Sequence, residues 1–103
     1  MNIMNYPINK KVIIRSNNAG VFYGTLAEYD EVNRTAEIHN CRRLWYWDGA
    51  CSLSQLAVDG TKKPESCRFT LYVPTMQVME VIEILPCTDN AIESIESVAI
   101  WKS

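Results

Sequence analysis

The sequence has little of several things, and each shortage narrows what the chain can be. Of 103 residues only four are glycine and four proline, too few for a fibrous or low-complexity polymer. No apolar run approaches the ~18 residues of a membrane span, and Met1 to Pro7 lacks the charged start and apolar body of a secretion signal, so a soluble cytoplasmic chain with no membrane partner is expected. Charge of one sign is scarce as well. Ten Lys and Arg against twelve Asp and Glu leave −2, which makes a duplex-nucleic-acid partner unlikely, because such binding rests on many phosphate contacts. Histidine occurs once, at His39, and Cys41, Cys51, Cys67 and Cys87 form no Cys-x-x-Cys pair, so no metal site is expected and the thiols read as small buried hydrophobes. A phosphate-binding glycine loop, a G-x-S-x-G elbow and an H-E-x-x-H helix are all missing. His39 and Cys41 could share a strand face, but no orienting carboxylate or oxyanion-forming loop accompanies them. The expectation is a non-enzyme with no cofactor.

What is present is a β-rich pattern. Hydrophobic residues make up 48% and charged residues 21%, the make-up of one compact domain over residues 1–103. Lys10 to Arg15 reads as a strand, closed by the turn formers Ser16 to Gly20. Val21 to Tyr29 reads as a long bent strand, with Gly24 marking a bulge or strong bend. After a polar turn at Asp30 to Arg34, Thr35 to Trp47 forms a third strand. Without a bulge, Ala36, Ile38, Leu44 and Tyr46 face one way and His39, Cys41, Arg43, Trp45 and Trp47 the other. A short helix fits between Asp48 and Gly60, with Ser52 or Asp48 as its cap. Arg68 to Val73 alternates as a half-buried strand, Pro74 and Thr75 interrupt it, and Met76 to Leu85 forms a further edge or bulged strand. Thr88 or Asp89 caps a terminal amphipathic helix. The fold class is mainly β with two short helices: a small curved antiparallel barrel, SH3-like or Sm-like, plus a C-terminal helix. The alternative is an α+β roll.

The chemistry concentrates in Asn40-Cys41-Arg42-Arg43-Leu44-Trp45-Tyr46-Trp47, where two guanidiniums and three large aromatics share eight residues. On a strand, Arg43, Trp45 and Trp47 would form one row at about 6.6 to 6.8 Å per two residues, a spacing that suits a ring stacked beside a phosphate-binding guanidinium, and the expectation is a base on Trp45 or Trp47 with Arg42 or Arg43 on phosphate. Asn40 opens the same segment, and Arg15, Arg68 and Lys62 or Lys63 could converge from neighbouring segments. The same residues have a plainer reading, with Trp45 and Trp47 packed under the short helix and Arg43 reaching past them to solvent. Trp, Tyr and Arg are also the residues enriched at protein interfaces.

The series Ala19-Gly20-Val21-Phe22, Gly24, Asn40, Arg42 to Trp47, Gly49-Ala50, Ser52 to Ala57, Gly60, Pro64, Cys67 and Phe69 resembles a family of small bacteriophage and prophage proteins. The likeness runs on through Glu80 to Leu85 and the Ile95 to Trp101 tail. Tyr23 and Cys51 stand where that family has smaller residues. In size and Arg-aromatic character the chain also resembles the Thoeris anti-defence sponges. That second resemblance implies a homo-oligomer in the host cytoplasm that sequesters a cyclic nucleotide signal, of cyclic ADP-ribose type or a cyclic oligonucleotide, without cleaving it. Three functions follow as expectations. The first is capture of such a signal by Asn40, Arg42, Arg43, Trp45, Trp47, Arg15 and Arg68. The others are docking on a host or phage protein and binding of single-stranded nucleic acid.

Overall fold

The computed structural model describes residues 5–102. Six strands and two helices follow one another as β1 (Lys11–Ser16), β2 (Gly20–Asp30), β3 (Thr35–Tyr46), α1 (Leu53–Asp59), β4 (Arg68–Phe69), β5 (Val73–Val78), β6 (Val81–Pro86) and α2 (Asp89–Ser97), with a 3-10 turn at Pro64–Ser66 before β4. The chain is mainly β, as expected. Its strands form one antiparallel sheet in the order β4-β3-β2-β1-β6, and β5 pairs with the first half of β3 on the edge that β4 continues.

The sheet is curved but not closed. β5 and β6 lie at opposite edges and do not pair, yet only Met79 and Glu80 separate them. Two linking residues span at most ~11 Å, whereas five flat strands would set the edges ~19 Å apart, so the sheet must curl. The chain itself bridges the gap: the Asn17 N–H donates to the Glu80 carbonyl at 2.9 Å and the Val81 N–H to the Arg34 carbonyl at 3.0 Å. The break between these strands therefore falls at 79–80 and not at Pro74-Thr75. Pro74 is accommodated inside β5 because this strand has an open edge and Pro74 falls opposite the irregular Asn40.

Curling requires bulges, and the main one explains where the side chains point. Thr25 pairs with His39 but Tyr23 with Arg42, so β3 carries one extra residue. Asn40 takes it up with a left-handed φ of 48°. Gly24 lies opposite, where a Cβ would stand 2.7 Å from the Cys41 Cβ and 3.0 Å from the His39 carbonyl oxygen, so only glycine fits. Beyond the bulge the alternation is inverted. Ala36, Ile38 and Cys41 join Val12, Ile14, Phe22, Leu26, Val78 and Val81 inside the curl. Leu44 instead joins Ile13, Tyr23 and Phe69 on the other face, under α1 and α2. The expected common face for His39 and Cys41 is therefore absent. His39 bonds Glu37 at 2.9 Å, whereas the buried Cys41 thiol donates to the Val73 carbonyl at 3.3 Å, and burial pushes its pKa up.

Both helices are capped by side chains. Ser52 Oγ accepts from the Gln55 N–H at 3.1 Å and Gly60 closes α1, while Thr88 Oγ1 accepts from the Ala91 N–H at 3.1 Å. Leu56 and Ala57 of α1 and Ala91 and Ile95 of α2 bury themselves against the sheet. After Val98 the chain runs extended along β4: Ile100 bridges Phe69 in parallel, and the Trp101 N–H donates to the Phe69 carbonyl at 2.9 Å. No described helix is long and apolar enough to cross a membrane.

Candidate functional site

The seven expected ligand residues do not meet in one recess. Arg42 is the clearest correction. The inverted alternation carries it under α2, where it is 0% exposed. Its Nε donates to the Thr70 carbonyl at 2.9 Å, Nη1 to Ile95 at 3.2 Å and Val98 at 3.0 Å, and Nη2 to Phe69 at 3.2 Å. The guanidinium is thus enclosed by backbone oxygens and lies 4.7 Å from the Tyr72 ring centre. The last carbonyls of a helix lack intrahelical donors and carry partial negative charge, and α2 has no basic residue in its own last turn. Arg42 supplies that cation from β3. It holds the C-terminal segment onto the sheet and is unavailable to phosphate.

A second contact fastens the same helix. Tyr23 donates its hydroxyl to Glu96 at 2.6 Å, and Lys11 pairs with the same carboxylate. Burial pushes the Glu96 carboxyl up, but the bonds from Lys11 and Tyr23 and the Arg42 charge outweigh it and hold it below the ordinary carboxylate value. Burial, aided by the Glu96 bond, pushes the Tyr23 phenol far up.

The other expected residues are dispersed. Arg43 lies on the face opposite Arg42, over the Phe22 ring at 4.5 Å, with its guanidinium on the Ala19 carbonyl. Arg15 pairs with Glu83 at 2.7 Å on the β1–β6 side. Asn40 serves the bulge. Trp47 packs partly buried against the cluster holding Leu56 and Ala57, as the plainer reading of the sequence had it. Hollows of about 690, 410 and 320 Å³ mark the surface, and none is lined by any of the seven.

Trp45 and Arg68 do come together, and they bring two residues the sequence reading left out. The ladder from Leu44–Phe69 to Tyr46–Arg68 contains a second β3 bulge, with Trp45 as the extra residue. Bulges re-aim side chains, and here Trp45 and Tyr46 both emerge beside Arg68, 56% and 48% exposed. The extended tail brings Trp101, 41% exposed, against Trp45. The two indoles stack with ring centres 5.2 Å apart and planes 14° from parallel. Above them the Arg68 guanidinium lies 5.5 Å from Trp45, 5.9 Å from Tyr46 and 5.6 Å from Trp101. Among the described residues no carboxylate stands within 4.0 Å of it. The result is an open aromatic platform topped by a cation. Tyr46 was missed because unbroken alternation turns it inward, and Trp101 because its position depends on the tail folding back along β4.

A family model described as a domain of unknown function (DUF6948) matches residues 9–95. The chain belongs to this family. The match takes in Trp45, Tyr46 and Arg68 and stops before Trp101. No curated protein and no solved structure matches the chain.

Proposed function

We propose that the chain is a non-enzymatic binding module that docks on a partner protein through Trp45, Tyr46, Arg68 and Trp101. The observation that carries this reading is the exposure of three large aromatics around one guanidinium at the edge of the sheet. Aromatic residues and arginine dominate interface energetics, where truncating a central anchor costs about 2 kcal/mol or more. The test is recovery of a stoichiometric partner from native cells, its mass identified, and repetition with folded Trp45→Ala and Trp101→Ala. Loss of that partner from both variants is expected. Undiminished capture by both overturns the reading.

A second reading rests on the stacking itself. Nucleobases stack on exposed indoles with about 1 to 3 kcal/mol each, and the Arg68 guanidinium, 5.5 Å from the Trp45 ring centre, supplies the positive charge a phosphate needs. On this reading the platform sequesters a nucleotide-derived signal, of cyclic ADP-ribose type or a cyclic oligonucleotide, and so blunts a host defence against phage. One arginine is little for such an anion, so a second copy of the chain has to supply the rest of the pocket. Thermal unfolding with these nucleotides tests it: a melting temperature raised by several degrees and restored to its ligand-free value in Arg68→Ala is the expected result. No shift with any of them removes this reading, and a shift with single-stranded oligonucleotides alone, abolished by salt, replaces it with strand binding.

A further inference from the structure

The platform sits at an unfinished sheet edge. Ile100 and Trp101 are the outermost extended residues, beyond β4. Trp101 turns its N–H inward to Phe69, so by strand alternation the Ile100 N–H and carbonyl turn outward, and they have no backbone partner among the described residues. The Ile100 side chain is itself exposed. An edge of this kind accepts an added strand, whose main chain supplies hydrogen bonds while flanking side chains supply selectivity.

Arg68 states what that selectivity must be. Lys11, Arg15 and Lys63 each have a carboxylate within 4.0 Å, whereas Arg68 has three aromatic rings within 6 Å. A partner that covers these rings also takes the guanidinium out of water, and a cation so covered is strongly unfavourable without an anion against it. A second copy that set these same five residues against them would bring no carboxylate, because Trp45, Tyr46, Arg68, Ile100 and Trp101 include none.

We infer that the occupant of the platform is an extended acidic segment of a partner protein, added as a strand beside Ile100 with an Asp or Glu carboxylate on Arg68. This rests on the docking reading above and gives it a partner chemistry.

The experiment is selection of a displayed library of random peptides on the intact chain, followed by titration of the selected peptides. Peptides enriched in Asp or Glu are expected, with affinity falling about tenfold or more on Arg68→Gln and when their acidic residue is replaced by the neutral amide. Slowed exchange of the Ile100 amide in the complex is expected from strand addition, and Trp45→Ala should weaken every peptide. Selected peptides that are neutral or basic, equal affinity for Arg68→Gln, an Ile100 amide unchanged by binding, or no selected peptides at all would overturn the proposal. Charge-blind peptides that still need Trp45 leave the docking surface standing and remove only the acidic partner. Peptides indifferent to Trp45→Ala remove the surface as well.

Discussion

Arg42 and Arg68 are both arginines among aromatic rings, and they do opposite work. Arg42 sits under α2 with four carbonyl oxygens around it, and Arg68 sits above Trp45 and Trp101 with rings as its neighbours among the described residues. The rings do not distinguish the two, since Tyr72 and Phe69 lie as near Arg42 as the indoles lie to Arg68. What separates them is the supply of acceptors. A guanidinium whose donors are met inside the chain holds the fold together, and one whose donors face outward is free to hold something else.

That contrast breaks most easily at Arg42. Replacing it by alanine leaves the carbonyls of Thr70 and Val98 without their donor and takes one of two donors from those of Ile95 and Phe69, and is expected to cost roughly 3 to 5 kcal/mol in urea unfolding, with Arg42→Lys recovering only part, because an ammonium cannot reproduce the planar fork. A loss below about 1 kcal/mol would mean that the tail is held by other contacts. Next comes Gly24→Ala, which forces a methyl against Cys41 and His39 opposite the bulge that sets Arg42 inward; overpacking of this kind costs about 1 to 3 kcal/mol. Stability equal to the native chain in the same unfolding assay would show that the β2–β3 contact can open at little cost.

Acid sharpens the comparison through Glu96, which ties α2 to Lys11 and Tyr23. Its carboxyl is held below its ordinary value of 4.5, so its contribution is present above that pH and is lost as the pH falls through the lower folded-state value. Unfolding midpoints measured on the acid side should fall less steeply for Glu96→Gln than for the native chain, and identical slopes would contradict the tie. The smallest effect belongs to the other arginine. Arg68→Ala should change stability by no more than about 0.5 kcal/mol, since among the described residues its guanidinium meets exposed rings and no carboxylate.

The fold was largely legible and the site only half so, for one reason. β-branched runs, turn formers at Ser16 to Gly20 and caps at Ser52 and Thr88 act locally, and each lies where the pattern puts it. Gly24 even marked the place of the bulge, although the extra residue, Asn40, stands on the partner strand. Side-chain direction beyond that point depends on a single inserted residue, and alternation without it assigns Arg42, Cys41 and Leu44 to the wrong faces. Trp101 depended on a still longer-range event, the return of the tail along β4. Trp45 and Arg68 were found because residue type alone marked them. Their meeting came from pairing, which local pattern does not state.

The central claim is that Arg68 binds and does not hold. It is tested most directly by titrating the partner recovered on the native chain onto folded Arg68→Ala. Affinity weakened by about tenfold or more, at an unfolding midpoint equal to the native one, is the predicted result. Native affinity in that variant would contradict the account.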